Sequence, residues 1–70
     1  MSDEYPNPVP GSDLAAARRQ CGVTQVALAA RMGLHRITLN GWERAPSIDP
    51  LRAARYHKAL REMVAEAVAQ

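Results

Sequence analysis

The chain has 70 residues, 47% hydrophobic and 23% charged, with a formal net charge of +2. That is room for one small domain with a compact core, and too little for an elaborate catalytic cleft. A lone cysteine excludes a disulfide-stapled scaffold, no apolar run approaches the ~20 residues that cross a bilayer, and the acidic, proline-rich start MSDEYPNPVP is unlike a secretory leader. A soluble, cytoplasmic protein is expected, with Cys21 a reduced and buried thiol.

Residues 1–12 alternate Pro6, Pro8 and Pro10 with polar residues and Gly11, which disfavours both helix and buried strand, so they read as a flexible acidic tail. Ser12 or Asp13 is suited to cap a first helix over about Asp13 to Cys21, where Leu14, Ala17, Arg18 and Cys21 share one face and Gly22 supplies the stop. Val23 is a core contact. Thr24 is a good N-cap for a second, short helix from Gln25 to Met32, whose inward face is Leu28, Ala29 and Met32 and whose end is Gly33, able to turn left-handed without penalty. Leu34 points back to the core.

A third helix from about Arg36 to Glu43 buries Leu39 and Trp42 and leaves Arg36, Ile37, Asn40 and Gly41 outside. Pro46 disfavours helical geometry in the residue before it, so Arg44 to Ser47 form a connector. In SIDPL, Asp49 suits an N-cap and Pro50 a first helical position. From there to Ala69 neither Gly nor Pro intervenes, which predicts a fourth helix of about 20 residues, or ~30 Å. Leu51 and Ala54 are placed to close the core. Beyond them Tyr56, Leu60, Met63, Val64, Ala67 and Val68 continue an apolar stripe that so small a domain has little left to cover. The stripe is expected to pack against a second copy of itself as a homodimer; the alternative is a fraying tail.

All nine basic residues fall between Arg18 and Arg61, a span with only two acids, Glu43 and Asp49, so its local balance is +7. Such a span is a plausible footprint for a polyanion, and equally a solvated basic face.

Thr24-Gln25, Leu28-Ala29, Gly33, Leu39 and Trp42-Glu43, at these intervals and after a helix carrying Arg18, resemble the lambda repressor and Cro class of helix-turn-helix domains, the XRE family. Ala29 is small where two helices cross closely, Gly33 makes the tight turn, and Leu39 and Trp42 anchor the second helix of the pair on the first. The fold class is therefore expected to be all-α, a lambda repressor-like domain of four helices, the last one long and used for dimerisation. Its division is expected to be a tail over 1–12, a DNA-binding domain over 13–60, and a dimerising helical extension over 61–70.

The resemblance implies that the third helix enters the major groove of double-stranded DNA. On this sequence the base-reading positions become Arg36, Ile37, Asn40 and Gly41: Arg36 donating to guanine, Asn40 pairing with adenine, Ile37 packing on a thymine methyl. Thr24, Gln25, His35, Thr38 and Arg44 become phosphate contacts, with Gln25 at a helix N-terminus where free amides favour an anion. Arg18 and Glu43 match a structural ion pair. The sequence departs from the pattern at His35, where Ser or Thr usually caps the recognition helix, at Gly41, costly inside a helix, and at Ala45, where a glycine commonly ends the helix.

The function so implied is a sequence-specific transcriptional regulator: a dimeric repressor and autoregulator of a phage or mobile-element operon, such as a Cro-like or anti-CRISPR-associated regulator. It would bind a palindromic operator with half-sites ~34 Å apart. The alternative is an antitoxin or other protein-interaction module in which the last helix grips a partner protein. An enzyme is the least favoured class, since no nucleophile constellation, phosphate loop or carboxylate pair is present. No cofactor, metal or small-molecule ligand is expected: His35 and His57 lie far apart, with no Cys or carboxylate at ligand spacing.

Overall fold

A computed structural model describes residues 8–69, and among them four α-helices follow in order: α1 (Gly11–Gln20), α2 (Gln25–Met32), α3 (Arg36–Arg44) and α4 (Pro50–Ala69). Each helix supplies one large, fully buried side chain to a shared centre: Leu14, Leu28, Leu39 and Tyr56. Around them pack Ala29, Ile48, Ala53, Ala59 and Leu60, with Val23, Met32, Leu34, Trp42 and Met63 half-buried at the edge. The small side chain of Ala29, 2% exposed, lets α2 lie close to its neighbours.

The first two helices end in the same way. Gly22 and Gly33 both sit at φ +70°, the left-handed conformation that costs a glycine little. Val23 N–H then donates to the Arg18 carbonyl at 3.2 Å, and Leu34 N–H to that of Ala29 at 2.8 Å. These closing bonds satisfy orphan carbonyls and turn an apolar residue, Val23 or Leu34, back onto the core. The α2 and α4 starts are capped as their sequences suggest. Thr24 Oγ1 accepts from Ala27 N–H at 3.1 Å, and Asp49 Oδ2 accepts from Arg52 N–H at 3.3 Å.

Several expectations are corrected. The tail does not run to residue 12: Val9 and Ile48 form an antiparallel bridge, N–H to carbonyl at 3.2 and 2.7 Å. Residues 1–7 lie outside the described residues. α1 begins at Gly11, behind Pro10, and neither Ser12 nor Asp13 caps it. Gly11 is buried against the end of α3, where an added Cβ would meet the carbonyl oxygen of Trp42 and, at 2.7 Å, that of Glu43. Its N–H donates to the Ala45 carbonyl at 2.9 Å. Ala45 leaves α3 with extended backbone, φ −69° and ψ 142°, so no glycine is required at that exit. Cys21 is exposed rather than buried: it stands past the last turn of α1 as its C-cap.

α4 is rotated from the register read in its sequence. Leu51 is 70% exposed and Ala54 is exposed, while Ala53, Tyr56, Ala59 and Leu60 face inward. Tyr56 and Leu60 are therefore not a dimer interface: at 0% and 3% exposure they belong to this chain's own core. The reason is that α4 packs across both α1 and α2, which covers the leading half of the stripe. Met63 is half-buried against the same core, and Val64, Ala67 and Val68 remain exposed beyond it. No helix among the described residues is long and apolar enough to cross a membrane.

Candidate nucleic-acid interface

α3 presents two unlike sides. Inward, Leu39 is fully buried and Glu43 is 7% exposed; outward, Arg36, Ile37, Thr38, Gly41 and Arg44 are exposed and Asn40 is half-buried. The helix starts at His35, whose backbone is extended and whose Nδ1 accepts from Ile37 N–H at 3.1 Å. Histidine thus takes over the capping task of a Ser or Thr, and a ring accepting at Nδ1 carries its proton on Nε2, available to an acceptor outside. No atom lies within 4 Å of a Cβ built on Gly41, so no internal packing demands glycine there. What remains is a bare stretch of backbone on the open side of the helix.

What holds α3 at this angle is a buried carboxylate. Glu43 accepts from Arg18 Nε at 2.7 Å and Nη2 at 3.0 Å, from Gln25 Nε2 at 2.9 Å and from the Tyr56 hydroxyl at 2.5 Å. Arg18 Nη1 donates onward to the Val23 carbonyl at 3.0 Å. One residue from each of the other helices therefore converges on the last turn of α3. Burial by itself would raise the Glu43 carboxyl, but the bonds from Arg18, Tyr56 and Gln25 with the arginine's charge outweigh it and hold the group below its usual range. The Tyr56 hydroxyl is pushed up, first by burial and then by its bond to the Glu43 anion, so it stays a donor.

The Arg18–Glu43 pair anticipated in the sequence is present, with side chains 10% and 4% exposed. The Tyr56 and Gln25 bonds to it were missed. A signal for the first existed, since a buried tyrosine hydroxyl needs a polar partner, but the stripe was read as facing outward. Gln25 also donates to Asn40 Oδ1 at 3.1 Å. Both hydrogens of its Nε2 are thereby used inside the protein, and what it offers at the start of α2 is backbone N–H, beside that of Val26.

Glu43 and Asp49, already counted in the local +7 balance, pair with Arg18 and Arg52, and Arg52 also lies 5.8 Å from the centre of the Trp42 ring; from outside that span Glu62 and Glu66 offset part of the +7 through Arg31 and Lys58. Among the described residues Arg19, Arg36, Arg44, Arg55 and Arg61 have no acidic partner; Arg36 and Arg44 sit at the two ends of α3. The same residues contain no cluster of three His, Cys, Asp or Glu that would hold a metal ion.

A family model described as helix-turn-helix matches residues 14–65, from Leu14 of α1 to Ala65 in α4. No curated protein and no solved structure matches the chain.

Proposed function

We propose that this chain, which belongs to the lambda repressor and Cro class of the helix-turn-helix family and is a DNA-binding transcriptional regulator, acts as a dimeric repressor on a palindromic operator. The observation that carries this reading is the division of α3: an inner side locked by the Glu43 network and an outer side with Arg36, Ile37 and Gly41 exposed and Asn40 at its margin. A helix held at both faces by its own domain would have nothing to insert into a groove. Here Arg36, Ile37, Asn40 and Gly41 read base edges, and the phosphates on either side meet Thr24, the backbone amides at Gln25, His35 Nε2, Thr38 and Arg44.

Dimerisation falls to the distal part of α4. Val64 and Val68 are 38% and 81% exposed, and with Ala67 and the open edge of Met63 they form an apolar stripe that a second copy can cover. The compartment is the cytoplasm, where the DNA is, and the regulated unit is a phage or mobile-element operon that includes the repressor's own gene. The same exposed stripe favours a second reading, an antitoxin-like module whose α4 binds a different protein.

Fluorescence anisotropy with a selected operator and a scrambled duplex, over a range of salt, tests the first reading. Tighter binding to the operator at every salt concentration supports it, and equal affinity for both duplexes removes it. Sedimentation separates the two partners of α4: twice the 7.7 kDa chain mass for the homodimer, the monomer mass for the module.

A further inference from the structure

Between α1 and α4 lies an open groove of about 480 Å³ to which DNA recognition gives no task. Its floor is apolar: Ala17 of α1, with Leu60, Val64 and Ala65 of α4. Leu60 belongs to the edge of the core, whereas Val64 and Ala65 are exposed. The volume falls within the roughly 300–1,000 Å³ of small-molecule sites. Residue spacing does not point to it, because only the fold brings Ala17 and Cys21 alongside α4.

The charge around this floor is of one sign. Arg61, exposed, lines the groove together with the half-buried His57 one turn before it, and no acidic residue does. The acids nearest to Arg61 along α4, Glu62 and Glu66, are drawn to Arg31 of α2, and Glu62 also to Lys58. An apolar trough beside an unneutralised cation complements an anion that carries an apolar tail. The tail leaves water against the floor, and the head meets a guanidinium whose forked donors match a carboxylate.

A second copy is a poorer occupant. Turned about a two-fold axis onto the groove, it presents the same lining, so another Arg61 and His57 meet the first pair with no carboxylate from either lining between them. Val64 is the one lining residue shared with the stripe proposed for dimerisation; Ala67 and Val68 lie outside the groove.

We propose that the groove between α1 and α4 binds a free amphipathic anion, a carboxylate on a straight hydrocarbon tail, with Arg61 holding the head and Ala17, Leu60, Val64 and Ala65 covering the tail. The inference does not depend on what α3 reads.

Titration calorimetry of the full chain with hexanoate, octanoate and decanoate, each below its micelle-forming concentration, tests it. Affinity should rise by up to about fourfold per added methylene until the tail outruns the groove. Octylamine, the same tail on a cation, should bind about tenfold more weakly than octanoate. Arg61→Ala, at an exposed side chain with no ion pair to lose, should weaken octanoate about tenfold and leave the melting temperature unchanged. Ala65→Leu fills part of the groove from an exposed position and should remove the dependence on tail length. Octanoate should also slow the alkylation by iodoacetamide of Cys21, which is exposed and lines the same groove.

Octylamine bound as tightly as octanoate, an affinity indifferent to tail length, an Arg61→Ala chain that binds octanoate unchanged, or a Cys21 that stays equally reactive overturns the proposal. So does a chain that sediments as a dimer, shields Cys21 and takes up no octanoate, which gives the groove to a second copy. Binding to vesicles of anionic lipid with none to free octanoate overturns it in favour of a membrane surface.

Discussion

Two arginines each tie helices distant in sequence through carboxylates, and they differ in almost everything except that chemistry. Arg18 meets Glu43 with side chains 10% and 4% exposed, and Tyr56 and Gln25 complete the carboxylate's bonds. Arg31 meets Glu62 at 3.3 Å and Glu66 at 2.5 Å with side chains 34%, 44% and 55% exposed. The first is sealed from water at the place where α3 takes its orientation; the second is a strap between α2 and α4 washed by solvent and salt. Burial makes the first pair costly to break from one side and leaves the second nearly dispensable.

The largest effect is therefore expected from Arg18→Ala, which strands the Glu43 anion. A loss of about 3–5 kcal/mol is expected, a large share of what so small a domain has, and thermal melting with far-UV circular dichroism measures it. A drop in melting temperature no greater than that of Arg31→Ala would erase the contrast between the two sites. The same pair sets an acid limit. Because the folded Glu43 pKa is depressed, its contribution is fully present above the unfolded value of ~4.3 and is lost as pH falls through the lower folded value. Glu43→Gln should be less stable at neutral pH and should show a flatter stability profile below about pH 4; a parallel profile would mean that other carboxylates control acid unfolding.

Tyr56→Phe removes one bond and no volume. Hydrogen bonds to charged groups contribute about 1.5–3 kcal/mol, and urea unfolding should show a loss in that range with little change in the denaturant slope. A neutral result would mean that Arg18 and Gln25 satisfy the carboxylate without the hydroxyl. Gly11→Ala probes the same end of α3 from its backbone. The added Cβ would meet the Trp42 carbonyl, backbone that cannot give way as a flexible side chain does, so about 1–3 kcal/mol is expected from overpacking. An unchanged melting temperature would show that α1 can withdraw from α3 without consequence.

How much of this was legible in the sequence follows the same division between local and distant causes. The turns at Gly22 and Gly33, the caps at Thr24 and Asp49 and the extents of α2 and α3 depend on residues within one turn of each other, and the amino-acid types carry them. The inward register of α4 does not, because spacing alone cannot distinguish a face that covers its own domain from one awaiting a partner. Tyr56 and Leu60 were displaced from a predicted interface into the core for that reason. Gly11 and Val9 were invisible in a different way: their partners, the end of α3 and Ile48, lie more than thirty positions along the chain, and a proline-rich context points to a tail. In the candidate interface the exposed positions of α3 could be read from periodicity. The direction of the Gln25 to Asn40 bond could not, since it depends on the charge of Glu43 and hence on Arg18 in another helix.

The smallest effect should come from Arg31→Ala, and its interest lies in where it acts. Arg31 is the last-turn cation of α2, and its two acids stand one turn apart on α4, so the strap holds the part of α4 beyond Leu60 against the domain. Exposed pairs lose side-chain entropy on forming and are screened by salt, so the monomer's melting temperature should fall by at most a few degrees in dilute buffer, with the difference vanishing at high salt. If the distal stripe of α4 is the dimer seam, releasing the strap lets Val64 and Val68 swing relative to α3, and operator binding should weaken more than folding does. Equal and salt-independent losses of folding and operator binding would put Arg31 in the same class as Arg18, and the distinction between a sealed and a solvated arginine would no longer explain either.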